Sequence, residues 1–274
     1  MLRPLPLRLS LSLVALLSVV LAALLIAGRH AQQVRIVLPE IAGDAALVIT
    51  PDGRTVLIDG GADGAALATW LGNTLPFGQR HLDAVVLTRA DGKTLSGQLA
   101  ALKRYAVKAA LLPATERRSS SLDAWEQLLE AQQVAPEYVA PGDQLMLGRC
   151  ALDVLTAQDG QMTLALQCGP TVAYFLQAVD DDAETELSAR DLASAALVVF
   201  PWKRPTDTPL LQRLRPAAIV FSDGGRGEND RSWADRRVDA ARLYHEQIHG
   251  QIELIGDERQ TMIRAERGED SDGN

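Results

Sequence analysis

The chain has 274 residues and carries 27 Lys and Arg against 35 Asp and Glu, a formal net charge of −8. That acidic balance excludes a protein that holds nucleic acid through bulk charge, because phosphate contacts need a basic surface. The length allows one soluble domain with a real core, and no repeats or low-complexity blocks interrupt it.

The first element is an apolar run, "LSLSLVALLSVVLAALLIA" at Leu9–Ala27. Its 19 residues carry no charge and are long enough to cross a bilayer core. Arg3 and Arg8 precede it, which predicts a cytoplasmic N-terminus and an extracytoplasmic remainder in the cell membrane. Secretion after signal cleavage is the rival, but the run is longer than a usual signal core and "AGRHA" is a poor cleavage site. Residues 1–32 are then a cytoplasmic stub, a transmembrane helix and a short linker. Residues 33–265 form one domain, and residues 266–274 an acidic, disordered tail. Without Arg3 and Arg8 the remainder carries a formal charge of −10.

Strands are predicted at Val34–Leu38, Ala46–Thr50 and Thr55–Asp59, with Pro51-Asp52-Gly53 turning between the last two. A helix over Asp63–Gly72 leads to a strand at Ala84–Thr88. A helix over Ser96–Tyr105 leads to a strand at Ala109–Pro113. Ser121–Gln133 reads as an amphipathic helix with Leu122, Trp125, Leu128 and Leu129 on one face, and Ser119–Ser121 as its cap. Strands recur at Tyr138–Ala140, Ala151–Leu155, Thr163–Gln167 and Val172–Leu176. The last third alternates: strand Ala196–Phe200, helix Pro209–Leu214, strand Ala217–Phe221, helix Ala234–His245, then strands Gln251–Ile255 and Gln260–Arg264. Hairpins followed by strand–helix alternation, twice over, predict two mixed sheets packed face to face with helices outside, an α/β sandwich. Cys150 and Cys168 fall nearly opposite one another on a predicted hairpin around Asp159-Gly160. A cross-strand disulfide and two small buried hydrophobes both fit, because a slip of one residue puts them on opposite faces.

Several short motifs carry less than they promise. "VLTRADGKTLSG" (Val86–Gly97) contains Gly92-Lys93-Thr94, but a phosphate loop needs a glycine where Leu87 stands, and no later strand supplies a magnesium-holding Asp. Gly60-Gly61-x-x-Gly64 lacks the spacing of a dinucleotide loop. His245 and His249 have a zinc-compatible spacing but no acidic partner, and read as a solvated helix face. No Ser or Cys has a neighbouring His that would make it a nucleophile.

The opening stretch nevertheless resembles a family. Gly43-Asp44-Ala45, Pro51-Asp52-Gly53 and Leu57-Ile58-Asp59-Gly60-Gly61 are similar to the start of the metallo-β-lactamase-like domain of ComEC-type DNA-uptake competence proteins. The similarity runs over about residues 34–264 and includes Thr163–Leu187 and Leu197–Gly224. It implies a four-layer αββα sandwich. Active members follow the strand at Ala84–Thr88 with Thr-His-x-(His/Asp)-x-Asp-His-x-x-Gly, whose side chains hold one or two divalent metals that activate water. Here Thr88 and Gly97 match, but the metal positions fall on Arg89, Asp91, Lys93 and Thr94. Asp59 and Asp180 keep carboxylates, Trp202 and Lys203 stand in place of a His-His pair, and Asn229 is kept where Trp233 replaces a later His. None of the four histidines, His30, His81, His245 and His249, occupies a family metal position.

These replacements imply a site degenerate as a metal centre. Asp59, Asp91 and Asp180 would be clustered like charges without a metal. Arg89, Lys93 and Lys203 would supply covalent cations, and Trp202 and Trp233 would fill the volume. The expected role is a non-catalytic scaffold or binding module with no cofactor and no catalytic residue, partnered by a protein or a small anionic ligand. A divergent phosphodiesterase-like hydrolase, using zinc or manganese, and a DNA-uptake accessory protein are the alternatives. Direct nucleic-acid binding is not expected.

Overall fold

The computed structural model describes residues 33–222, 238 and 241–267. The apolar run Leu9–Ala27, His30, Asn229, Trp233 and half of the predicted helix over Ala234–His245 lie outside the described residues, as does the tail from residue 268. Among the described residues no helix is long and apolar enough to cross a membrane.

In chain order the strands are β1 (Val34–Leu38), β2 (Ala45–Ile49), β3 (Thr55–Asp59), β4 (His81–Val86), β5 (Ala106–Pro113), β6 (Glu137–Val139), β7 (Gln144–Leu147), β8 (Cys150–Gln158), β9 (Gln161–Cys168), β10 (Thr171–Phe175), β11 (Leu197–Pro201), β12 (Ala218–Ser222), β13 (Arg242–His245), β14 (Ile252–Gly256) and β15 (Thr261–Ala265). The helices are α1 (Gly64–Thr74), α2 (Gly92–Leu102), α3 (Ser120–Ala131), α4 (Asp181–Ala189), α5 (Pro209–Leu214) and the single turn α6 (Glu246–His249). One sheet has eight strands in the order β15-β14-β1-β2-β3-β4-β5-β6, and the other seven in the order β13-β12-β11-β10-β9-β8-β7.

The central strands are buried along their whole length rather than alternately, as β3 shows. Both faces of each sheet are covered, so a continuous apolar run is what such a strand needs. Ile36, Val48, Ile58 and Val86 of the first sheet meet Leu152, Leu164, Phe175 and Val199 of the second in the central core. Leu57 and Val85 point the other way, onto Leu67, Leu71, Leu95, Trp125 and Leu129 of α1, α2 and α3. Val198, Phe200 and Phe221 pack on Leu187, Leu210 and Leu211 of α4 and α5. Two sheets between two helical layers make the αββα sandwich. Each fully buried Leu, Ile or Phe contributes about 1.5–3 kcal/mol of transfer free energy, so this three-part core dominates stability.

Several boundaries differ from the sequence expectation for stated physical reasons. The second helix begins at Gly92, not Ser96. Asp91 caps it by accepting the Lys93 N–H at 2.8 Å, while Thr94 Oγ1 receives the Asp91 N–H at 3.4 Å. That capping box starts the helix despite its poor helix formers. β4 begins at His81 because its parallel neighbour already pairs there, His81 facing Ala106. The predicted helix reaching His245 ends instead in a strand. Residues 242–245 pair in parallel with β12, Ala218 facing Arg242 and Phe221 facing His245. The open edge of β12 supplies the backbone partners that an isolated helix would have to supply itself. The cysteines stand directly opposite in β8 and β9 and are bonded, with Cα atoms 4.3 Å apart.

Candidate functional site

β3, β4 and β10 all finish at one end of the sandwich, and their following residues converge there. Asp59 ends β3 in the left-handed region (φ 54°) and is fully buried. The turn beyond it needs glycine. A Cβ on Gly97 would sit 1.6 Å from the Gly60 carbonyl oxygen, and one on Gly60 would sit 2.4 Å from the Gln98 nitrogen. Paired glycines therefore let α2 press against the β3 turn, which aims the α2 N-terminus and the residues before it at Asp59.

Three donors hold the Asp59 carboxylate. Thr88 donates its N–H to Oδ1 at 2.8 Å and its hydroxyl to Oδ2 at 2.6 Å, and Gln177 donates from Nε2 to Oδ2 at 3.0 Å. Burial, then the neighbouring Asp44 charge, pushes the Asp59 pKa up to about 7, against the pull of the Thr88 and Gln177 hydrogen bonds. Asp44 is 1 % exposed.

Arg89 sits among these groups. Its guanidinium meets Asp44 Oδ2 at 2.5 Å and Asp91 Oδ2 at 2.9 Å, and donates to the Gln177 carbonyl at 3.3 Å. It therefore ties the first sheet to the residues that follow β10 in the second. The Arg89 carbonyl accepts the Thr94 hydroxyl at 2.5 Å, so the loop and its helix cap are one unit.

The structure brings Asp59, Arg89, Asp91 and Thr94 together, with the Lys93 N–H donating to Asp91, and gives Asp180, Trp202 and Lys203 other surroundings; Trp233 lies outside the described residues. Asp91 is 46 % exposed, not a buried charge. Asp180 caps α4, its Oδ1 accepting the Ala183 N–H at 2.8 Å. The buried like-charge pair is therefore Asp59 with Asp44, not Asp59 with Asp91 and Asp180. Lys93 and Lys203 are exposed. Trp202 is buried on the helix side of the second sheet, edge-on to Phe221 (5.4 Å) and His245 (4.8 Å).

Two contributors escaped sequence reading. Asp44 was visible only as part of the Gly43-Asp44-Ala45 step, and Gln177 carries no local signal. The histidine pair also needs correcting. His245 is buried and caps α6, its Nδ1 accepting the Gln247 N–H at 3.2 Å. His249 turns its Nδ1 to the backbone N–H of His245 at 3.0 Å. Its pKa is lowered, chiefly by burial. Neither ring lies on a solvated helix face, and both Nδ1 atoms face backbone N–H groups.

The donor set does not fit a dinuclear metal centre. The site offers carboxylates without histidine, and the oxygens of Asp59 face three protein donors. A fixed guanidinium is bonded to Asp44 and Asp91, where its charge opposes a divalent cation. Among the described residues no three His, Cys, Asp or Glu side chains form a metal-holding group.

No protein-family model matches the sequence. No curated protein matches it either. Solved structures do match. The metallo-β-lactamase fold protein YhfI from Bacillus subtilis is 12% identical, with 82% of this chain and 100% of that one covered and a TM-score of 0.60. Zinc-bound PqqB from Methylobacterium extorquens is 14% identical over 74% of this chain and 85% of its own, with a TM-score of 0.54. A diphosphatase from the PhnP family is 13% identical over 77% and 95%, with a TM-score of 0.50. At such identities the likeness shows the metallo-β-lactamase fold and nothing finer.

Proposed function

We propose that this chain uses the metallo-β-lactamase fold without its metal, as a non-catalytic scaffold or binding module held at the cell membrane by Leu9–Ala27. Fold does not fix function, so the reading rests on the site. The observation that carries it is Arg89, a covalent cation paired with Asp44 and Asp91 at the end of the sandwich where β3 and β4 finish. Chain charge then does for Asp44 what a bound cation would otherwise do. A buried carboxylate is kept when a partner of opposite charge stands in hydrogen-bond contact.

Arg89 already answers two carboxylates, so a protein partner is favoured over a small anion at this site. The resemblance to ComEC-type proteins supports, as an alternative, an accessory role in DNA uptake in which this chain does not itself touch DNA. The anchor orientation set by Arg3 and Arg8 leaves the domain extracytoplasmic, where the Cys150–Cys168 bond is at home. A second reading is a divergent metal-dependent hydrolase, favoured by solved neighbours that include a zinc-bound protein and a diphosphatase.

Metal stoichiometry separates the two. The purified protein is exposed to excess zinc and manganese, dialysed and analysed for bound metal. Less than about a tenth of an equivalent is expected. Uptake near one or two equivalents, with hydrolysis of a phosphodiester substrate, would overturn the non-catalytic reading.

A further inference from the structure

The end of the molecule opposite Arg89 presents one large apolar side chain wholly to solvent. Phe77 lies between α1 and β4, flanked by Pro76 and Gly78, at 108 % of its reference exposure. The turn that carries it is built, not frayed. Leu75 is buried below it, Gln79 donates its N–H to the Pro76 carbonyl at 3.0 Å, and the Gln79 side chain reaches Thr55 Oγ1 at 3.1 Å. A rigid turn that holds an aromatic ring away from every core leaves its burial free energy unused until something covers the ring.

The surroundings of Phe77 have a definite charge. Arg54, Arg80, Lys103, Arg104 and Lys108 are all exposed on the same ends of β3, α2, β4 and β5. The Ala106 N–H donates to the Arg80 carbonyl at 2.9 Å, which joins the Arg104 and Arg80 segments. The acids among them are matched, Asp83 by Arg54 at 2.9 Å and Lys108 at 2.7 Å, and Asp52 by Arg149 at 3.5 Å. Asp257 and Glu258 also lie at this end, but in the turn between β14 and β15, with β1 and β2 between them and β3. In a chain of net charge −8 this basic patch is a local reversal.

Topology places the same patch beside the N-terminal segment. β1 and β3 both run antiparallel to β2, with Arg35 facing Ile49 and Ile49 facing Thr55. Val34 is therefore at the end of the sheet that carries Thr55, Gln79 and Phe77. β1 and β4 are three strand spacings apart, about 14 Å. The seven steps from Ala27 to Val34 reach at most about 25 Å even fully extended. The apolar run therefore ends within about 25 Å of Val34, at the end of the sheet that carries Phe77.

We propose that this end is a membrane-docking face. Phe77 enters the boundary between headgroups and acyl chains, as Trp, Phe and Leu side chains of interfacial segments do. Arg54, Arg80, Lys103, Arg104 and Lys108 engage anionic lipid headgroups, and the Arg89 end points away from the bilayer. One aromatic side chain and five cations bind weakly by themselves. Tethering through residues 28–33 raises their local concentration at the surface, so weak contacts suffice to fix the orientation. The inference rests on the membrane anchor in the reading above.

The test uses the full chain in lipid nanodiscs with a polarity-sensitive dye on Phe77→Cys. The native cysteines are bonded to each other and do not take the label. A blue-shifted emission is expected in discs containing phosphatidylglycerol, with a smaller shift in phosphatidylcholine alone. A dye on Thr185→Cys, in α4 near the other end, should not shift. Charge reversal by Arg80→Glu with Arg104→Glu should abolish the Phe77 shift. Water-like emission from position 77 in anionic discs overturns the proposal. So does a shift in lipid-free detergent that grows with protein concentration, which would mean a second copy covers Phe77. Release of the chain from vesicles by alkaline carbonate reports separately on the anchor. If the anchor fails, the labelled protein is added to anionic vesicles. A shift there sustains the docking face, and water-like emission ends it.

Discussion

Replacing Arg89 with Ala removes the cation bonded to the buried Asp44 and the half-exposed Asp91. Asp44 is 1 % exposed and meets the guanidinium at 2.5 Å. Without it, Asp44 loses the guanidinium bonded to its Oδ2 while the buried Asp59 remains its neighbour. Breaking a buried pair from one side costs about 3–5 kcal/mol. Two features pull the figure down. Asp91 is 46 % exposed, so its share of the network is worth under about 1 kcal/mol. The Arg89 side chain is itself 18 % exposed, so water reaches the vacated space. The expected loss is about 3 kcal/mol, and at roughly 2–4 °C per kcal/mol for a domain of this size the melting temperature falls by about 6–12 °C. Thermal melts at pH 7 measure it. Arg89→Ala combined with Asp44→Asn should recover much of the loss, because the stranded charge is gone, giving a coupling of at least about 1 kcal/mol. A single variant melting within about 2 °C of the parent protein would refute the ion-network account. So would two substitutions whose losses simply add.

Asp59 predicts a pH dependence of definite sign. Its folded pKa, about 7, stands above its ordinary value of 3.8, so between those values the folded state holds a proton that the unfolded state has released. The group's contribution is therefore greatest below about pH 4, falls as pH rises toward 7, and is level beyond; three pKa units amount to roughly 4 kcal/mol. Denaturant unfolding of Asp59→Asn should lack that slope, and an identical pH profile for parent and variant would show that Asp59 does not titrate this way. Reducing the Cys150–Cys168 bond, or replacing both residues with Ser, should cost about 2–4 kcal/mol because it frees a loop with a sequence separation of 18; melts with and without reductant read this, and coincident curves would count against it. Gly97→Ala should lose soluble protein or at least about 3 kcal/mol, since its Cβ would sit 1.6 Å from the backbone oxygen of Gly60; a variant as stable as the parent would mean α2 can lift off the β3 turn without penalty.

Nearly every strand is legible in the sequence because most strand signals here are local. Turn chemistry at Pro51-Asp52-Gly53 fixes the β2–β3 hairpin, and the strand ending at Asp59 is apolar enough to need cover on both faces. The errors fall where local and tertiary preferences compete. Gly92-Lys93-Thr94 looks like loop until the Asp91–Thr94 capping box is visible as hydrogen bonds. Residues 242–245 look helical until the open edge of β12 is available to pair with them. The cysteine question was settled by register alone, Cys150 facing Cys168.

What the sequence by itself determined is the layered α/β architecture and the identity of the residues at the ends of β3 and β4, because hydrophobic period, turn residues and motif spacing are written along the chain. What only the tertiary structure decided is which charges meet. Asp44, Asp59, Arg89 and Gln177 lie on four separate segments, and their hydrogen bonds depend on how two sheets and a glycine-packed helix close on one another. The same holds at the opposite end, where Arg54, Arg80 and Lys108 gather beside Phe77 only because parallel strands start there together. Pairing between distant segments is a property of distance in the folded state, and no local pattern encodes it.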